Sequence, residues 1–240
     1  MIQGLFKMSG TAYVGNGVLA SATCMDKEMT HMRLDAAGIK TAAYIVARRD
    51  GDTVDALDAK IVASLGYPVF VKPANAGSSV GVGKAKDKKE LESVLETAFE
   101  VDGKVLIEEC IVGLEVECAV LGNENPIAAK YIGQIAPTAE FYDFDAKYTD
   151  ASTRLYIPAK VDDATAERVR AEAVRAYKTM GCEGLSRVDF FALSDVSIVI
   201  NEINNLTGFT SISMYPKLFE ASGVPYSQLI DKLIETARVK

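Results

Sequence analysis

Ser186-Arg187-Val188-Asp189-Phe190-Phe191 and, one turn later, Ile200-Asn201-Glu202-Ile203-Asn204-Asn205 decide the fold. Both runs alternate apolar and polar side chains at the period of a half-buried strand. Ser194-Asp195 supplies a turn between them. Antiparallel pairing then sends Phe190, Ile198, Ile200 and Ile203 to a core. It also brings Asp189 close to Glu202 and Asn204, with Arg187 on the same polar surface. Carboxylate and amide oxygens are the ligands of hard divalent cations, and Mg²⁺ takes few of them alongside substrate phosphates. A solvated polar sheet face accounts for the spacing equally well, so the hairpin alone leaves both readings open.

With 240 residues, the chain can form one large domain or two small ones around a real core. A formal charge of -7 argues against a general nucleic-acid or anionic-membrane binder, although a few lysines can still make a locally positive nucleotide site. No apolar stretch approaches transmembrane length. Cys24, Cys110, Cys118 and Cys182 are widely separated and fit no metal or redox spacing, so most of them read as small core residues. With no signal-peptide pattern, the expectation is a cytoplasmic chain with reduced thiols. His31 is the single histidine, so a histidine zinc cluster or a Ser-His-Asp triad would depend on it entirely. Beside a helix, it reads as a solvated or satisfied residue.

Working outward, apolar spacing predicts helices over about 18–25, 26–37, 53–64, 87–100, 162–180 and 226–236. Strands are expected at 39–46, 67–73, 104–109, 114–121 and 126–132. Residues 1–25 begin as short segments punctuated by Ser9-Gly10 and Gly15-Asn16-Gly17. Residues 133–156 are polar and aromatic, a long loop of the kind that often serves as a lid. The pattern is α/β with mixed sheets, and its hairpins argue against an all-parallel doubly wound sheet.

Lys72-Pro73-Ala74-Asn75-Ala76-Gly77-Ser78-Ser79-Val80-Gly81 is the strongest local phosphate signal. Small residues let backbone N–H groups approach an anion, and Lys72 adds a point charge. In isolation an ordinary turn is the better reading; the acidic hairpin reverses that preference. Glu108, Glu109, Glu115 and Glu117 cluster at a strand junction where Ile111 can line an apolar pocket. For Glu117 the preferred account is a charged surface at a bend, and for Lys27 a helix-surface lysine. Gly208 to Ser213 sets hydroxyl donors beside a glycine, which suits carboxylate recognition or a simple loop.

Taken together and in order, several stretches resemble the D-alanine–D-alanine ligase family of the ATP-grasp class. They are Met25-Asp26-Lys27, Val71-Lys72-Pro73 with Gly77-Ser78-Ser79, Phe141 through Tyr148, Arg187-Val188-Asp189-Phe190, Asn201-Glu202-Ile203-Asn204 and Gly208-Phe209-Thr210. The resemblance implies an ATP-grasp fold with nucleotide between two subdomains. Residues 1–25 would be the tail of an N-terminal substrate domain, 26–110 the central subdomain, and 111–240 the C-terminal catalytic subdomain with its loop 133–156. It further implies that Lys27 and Lys72 bind ATP phosphates under a loop carrying Ser78 and Ser79, with Ser79 also catalytic. Glu108, Glu109 and Ile111 would form the adenine hinge, and Glu115 would bind ribose. Asp189, Glu202 and Asn204 would hold Mg²⁺, with Mn²⁺ as a substitute. Arg187, Lys147 and Tyr148 would serve the chemistry, while Ser213 and Met214 would meet the carboxylate of the second substrate.

The implied reaction joins D-alanine to a second D-amino acid through an acyl phosphate, in a cell-wall precursor pathway. Lys147-Tyr148 fits D-alanine or D-serine acceptors better than D-lactate. Two departures stand out. Family members usually read Asn-Thr-Leu-Pro-Gly where this chain has Asn204-Asn205-Leu206-Thr207-Gly208, which bears on acceptor choice. Complete members also carry an N-terminal domain before Gln3-Gly4-Leu5. The expectation is therefore a shortened chain that binds Mg-ATP with little or no ligase activity of its own. Its partners would be the missing domain or a second copy in a homodimer, with neither nucleic acid nor membrane.

Overall fold

The computed structural model describes residues 2–136, 154–210 and 212–238. The chain builds two sheets. The first is four-stranded in the order β1-β4-β2-β3, from β1 (Tyr44–Arg48), β2 (Val69–Pro73), β3 (Gly83–Ala85) and β4 (Lys104–Glu109). The second is six-stranded in the order β10-β9-β5-β7-β8, with β6 also on β5. Its members are β5 (Leu114–Leu121), β6 (Ile127–Ala128), β7 (Gly133–Ala136), β8 (Arg154–Tyr156), β9 (Leu185–Ala192) and β10 (Ile198–Asn204). Among the described residues every ladder is antiparallel. The expected mixed character of the sheets rests on one parallel bridge, Thr41 to Ile200.

Alternation explains both sheets. In the first, Val69, Val71, Val105 and Ile107 face helices α4 (Val54–Ser64) and α5 (Lys88–Val101), which bury Leu57, Ile61, Leu91 and Leu95 against them. Caps start both helices: Thr53 accepts from the Ala56 N–H and Asp87 from the Glu90 N–H. The intervening residues Lys72 and Glu108 are thereby turned to the opposite face. In the second sheet Val116, Cys118, Val188, Phe190, Ile200 and Ile203 pack against α6 (Asp163–Thr179). Helices α7 (Met214–Ala221) and α8 (Tyr226–Arg238) cover the other face over Ala119 and Leu121. They stop short of Glu115 and Glu117, which leaves one end of that face polar.

Helices α2 (Val18–Met25) and α3 (Lys27–Ala36) bridge the two units. Ala20, Leu34 and Ile39 pack into the second core. Yet Asp26 and Glu28, at the start of α3, both accept from Lys104 of β4 at 2.7 Å. Beyond α3, Lys40 O accepts from the Ile200 N–H, while Ala43 O accepts from the Glu109 N–H. Residues 40–43 thus tie β10 of one sheet to β4 of the other.

Four expectations shift. Both ends of the expected loop 133–156 are strands, β7 and β8, which pair with each other at the edge of the second sheet. The strand expected at 39–46 is regular only from Tyr44, because the residues before it are used for these ties. The strand expected at 126–132 is interrupted between β6 and β7. Ala129 and Ile132 are both buried although three apart, and a continuous strand cannot point both inward. Helices α1 (Ile2–Ser9) and α7 were not expected; α1 buries no side chain, and Gly10 at φ 67° follows it.

Asn16 fixes this arrangement at one point. Its amide donates to Leu185 O at 2.7 Å and Asn205 O at 2.8 Å and accepts from the Glu183 N–H at 2.8 Å, with 2% of the residue exposed. Asn16→Ala leaves buried main-chain groups unpaired, at a cost of about 2–4 kcal/mol. Urea unfolding should show that loss, and a change under about 1 kcal/mol would contradict the role given to Asn16.

Candidate active site

A cleft of about 600 Å³ lies between the sheets. It is lined by Lys27, Lys72, Ser78, Ser79, Glu108, Glu109, Ile111, Glu115 and Glu202, which the sequence singled out. Lys72 stands at its centre. Its Nζ lies 2.6 Å from Glu108 Oε2 and 3.1 Å from Asn201 Oδ1, so one ammonium touches both sheets. Burial disfavours ionisation of Glu108, but the Lys72 charge, helped by His31, overcomes it and holds the carboxyl down at about 2.

Of the two readings the sequence left for His31, solvated or satisfied, the structure gives the second. It is buried against Tyr44, with Nε2 3.3 Å from Glu108 Oε1. Periodicity could have placed it on the inner side of α3, since it lies three residues before the fully buried Leu34. Lys27 is also no simple surface lysine. Its Nζ donates to Ala76 O at 2.5 Å. Burial lowers its pKa, opposed by Glu202 and reinforced by Lys72. Two lysines this close favour an anion between them.

The loop from Ala74 to Gly83 shows why its residues are small. A Cβ at Gly81 would meet Val101 at 2.8 Å, and one at Gly83 would meet Val94 at 2.5 Å, so those glycines serve packing on α5. A Cβ at Gly77 would meet nothing within 4 Å, leaving backbone accessible at the cleft. Ser78 and Ser79 have φ of 52° and 59°, a left-handed conformation that non-glycine residues adopt at a cost of about 1–2 kcal/mol each. Such strain gathers at ligand clamps.

At the hinge, Glu109 Oε1 accepts from the Ala43 N–H at 2.8 Å, so its side chain braces the connection. Cys110 to Gly113 then crosses between sheets along the cleft wall. Gly113 runs so close to β9 that a Cβ there would lie 2.7 Å from Ala192 O.

The polar hairpin pairs as its alternation requires, with Glu202 opposite Asp189 and Asn204 opposite Arg187. A register shift between Ile200 and Glu202 makes Asn201 the extra residue and turns its amide toward Lys72. Sequence reading missed Asn201, yet the signal was present. Core positions 198, 200 and 203 slip from even to odd, which a regular strand cannot do.

Arg187 grips Asp189 through two bonds of 2.8 and 2.7 Å and lies 3.1 Å from Glu117 Oε1. Glu117 is therefore buried beside Arg187, correcting the surface reading. Burial, then the nearby Asp189 carboxylate, push its carboxyl up to about 8. Arg187 pulls the other way but is already shared with Asp189. Glu117 Oε2 is buried without a hydrogen-bond partner.

Asn204 Nδ2 donates to Asp189 Oδ2 at 2.8 Å and to Glu202 Oε1 at 3.1 Å, so two carboxylates and an amide converge. Among the described residues no three His, Cys, Asp or Glu side chains form a metal cluster. The set of two carboxylates and an amide still fits a hard cation. Turning the amide about its own axis presents a third oxygen, and a cation would offset crowding that Arg187 alone does not relieve.

Ser213 and Met214 lie apart from this cleft. Ser213 Oγ accepts from the Thr210 N–H at 2.9 Å. The Met214 side chain is buried beneath Gly133, so only its main chain, at the start of α7, is left for a ligand. That helix start has no side-chain cap. Lys147 and Tyr148 lie outside the described residues. Phe70, Lys84, Gln134 and Phe191 also line the cleft and were not singled out from the sequence.

The family profile described as D-ala D-ala ligase C-terminus matches residues 34–235. The chain belongs to the D-alanine–D-alanine ligase family. It is 52% identical over 240 residues to a D-alanine--D-alanine ligase of Acetivibrio thermocellus, covering 98% of this chain and 63% of that protein. A D-alanine--D-alanine ligase A of Chromobacterium violaceum is 47% identical, covering 100% of this chain and 65% of its own length. The chain thus spans under two thirds of these curated relatives. Among solved structures, the VanG D-Ala:D-Ser ligase of Enterococcus faecalis superposes with TM-score 0.89 at 40% identity, over 99% of this chain and 68% of that one. A Bacillus anthracis D-alanine--D-alanine ligase complexed with ATP gives 0.84 at 33%, over 100% and 75%. The two-sheet architecture is the ATP-grasp fold of these ligases.

Glu117, buried beside Arg187 and Asp189, makes stability depend on pH. Its folded pKa is raised, so its contribution is full below the unfolded value of about 4.3 and fades as pH rises through about 8. Glu117→Gln cannot ionise. Metal-free unfolding from about pH 5 to about pH 8 should therefore show the variant gaining on the parent chain. Parallel stability curves would contradict the raised pKa.

Proposed function

We propose that this chain carries the nucleotide-binding and catalytic part of an ATP-dependent D-amino-acid ligase. The reaction would join D-alanine to D-alanine or D-serine, for a cell-wall precursor, in the cytoplasm where ATP is supplied. The observation that best supports this reading is one cleft lined by Lys27, Lys72, the strained Ser78-Ser79 turn and Glu202, with Asp189 gathered beside Glu202 by the Asn204 amide.

On this reading the adenine lies along Glu108 to Ile111, and Glu115 accepts from ribose hydroxyls. Lys27 and Lys72 bind the phosphates, with the turn at Ser78 and Ser79 closing over them. Asp189, Glu202 and Asn204 would hold Mg²⁺, which neutralises phosphate charge when bound. The carboxylate of the first D-amino acid attacks the γ-phosphorus, giving an acyl phosphate and ADP. The amine of the second then attacks the acyl carbon, and the tetrahedral species expels phosphate. Arg187, held by Asp189 and Glu117, stays charged and offsets the negative charge that develops there. The uncapped start of α7, at Ser213 and Met214, receives the second carboxylate as helix N-termini do. Lys147 and Tyr148 are assigned to the same step.

Mg-ATP at about 100 times its Kd should stabilise the chain by about 2.7 kcal/mol, roughly 5–10 °C in Tm. Asp189→Asn with Glu202→Gln should abolish most of that shift while leaving the ligand-free fold intact. An unchanged shift would remove the metal assignment. Incubation with ATP, D-alanine and either D-alanine, D-serine or D-lactate, followed by product analysis, tests the acceptor. A dipeptide with D-alanine or D-serine supports the proposal. A D-lactate product overturns the acceptor assignment, and nucleotide binding with no product in any mixture favours a catalytically incomplete nucleotide-binding unit.

A further inference from the structure

Two thiols outside the cleft face each other. Cys24, half-buried in the last turn of α2, and Cys182, 5% exposed just after α6, have their sulfurs 4.0 Å apart. They are separated by 158 positions in sequence. The backbones that carry them are already clasped. Asn16, just before α2, accepts from the Glu183 N–H at 2.8 Å, and a Cβ at Gly184 would lie 2.9 Å from Gly15 N. Thr30 Oγ1 donates to Thr23 O at 2.8 Å, holding the residue before Cys24. Cys118, by contrast, is fully buried with only a main-chain oxygen near its sulfur.

We propose that Cys24 and Cys182 form a reversible disulfide under peroxide. One sulfur, as thiolate, attacks a peroxide oxygen, giving a sulfenic acid and hydroxide. The second thiolate displaces hydroxide from that sulfur, so two thiols and one hydrogen peroxide become one disulfide and two waters. Small side-chain rotations bring the sulfurs together while the clasped backbones stay in place. The hydrogen bond from Cys24 lowers the pKa of Cys182, favouring the thiolate that the first step needs. Cys24 is the more accessible of the two, so a thiol reductant can reopen the bond from that side. The cross-link closes a long loop, which stabilises the folded chain, and it lies outside the residues that line the cleft.

The test treats the reduced 240-residue chain with hydrogen peroxide and maps its peptides without reduction. A linked Cys24–Cys182 peptide should dominate, with Tm raised by roughly 5–10 °C and restored by dithiothreitol. Cys24→Ser and Cys182→Ser should each abolish both effects. Sulfenic acid left unpaired at either position, or links formed mainly through Cys110 or between chains, would overturn the proposal. So would a bond that lowers Tm, since that would mean the sulfurs are poorly placed. The peptide map requires neither nucleotide nor amino acid, so its outcome is independent of the ligase reading. The Mg-ATP melting shift should be the same in oxidised and reduced chain; its loss on oxidation would contradict a bond remote from the cleft.

Discussion

One ammonium group organises the molecule. Lys72 Nζ meets Glu108 within its own sheet and Asn201 from the other, and the Lys72 side chain keeps only 15% of its exposure. A charge so enclosed needs a partner, because breaking a buried pair by removing one member costs about 3–5 kcal/mol. Glu108 supplies that partner, and His31 packs against its second oxygen. The requirement reaches back through each strand. Val69, Val71, Val105 and Ile107 must face the helices if Lys72 and Glu108 are to face the cleft. It also reaches across to β10, where an extra residue turns Asn201 inward.

The acidic end of the second sheet is built against its own stability. Glu115, Asp189 and Glu202 crowd around Glu117, and burial with this crowding pushes its carboxyl up to about 8. The following stretch of the same strand is ordinary: Ala119 and Leu121 lie under α7 and α8. Local conflict of this kind, confined to one end of a well-packed sheet, marks the part of a fold kept for a ligand. The donor set converging on Asn204 Nδ2 lies at that end.

Much of this was legible in the sequence, because alternation and spacing are local properties. The pairing of Asp189 with Glu202 followed from two half-buried runs and a turn. The glycine-serine loop and both lysines were visible as residue types, and the order of motifs tied them together. What was not legible depends on depth. Glu117 was read as surface because a glutamate near a bend usually is, and nothing local reports the strand packed on either side. For His31 the sequence left solvated and satisfied both open for the same reason: burial of one polar side chain is decided by a carboxylate 77 positions away. Helix α7 escaped because its apolar side is defined by β5, not by its own eight residues. The slip from 200 to 203 in the core positions was the one readable sign of the bulge.

The strap at residues 40–43 has a mechanical consequence. It joins β10 to β4 by main-chain hydrogen bonds and makes a pivot beside the cleft. Turning one sheet about that pivot leaves the Lys72–Glu108 pair untouched, since both residues ride on the same sheet. The Lys72–Asn201 contact spans the gap and must stretch. Any such turning would therefore leave the lysine its charge partner and cost it only its amide partner. Its ammonium would then act as an angle gauge, with one donor direction released wherever the Asn201 contact is lost.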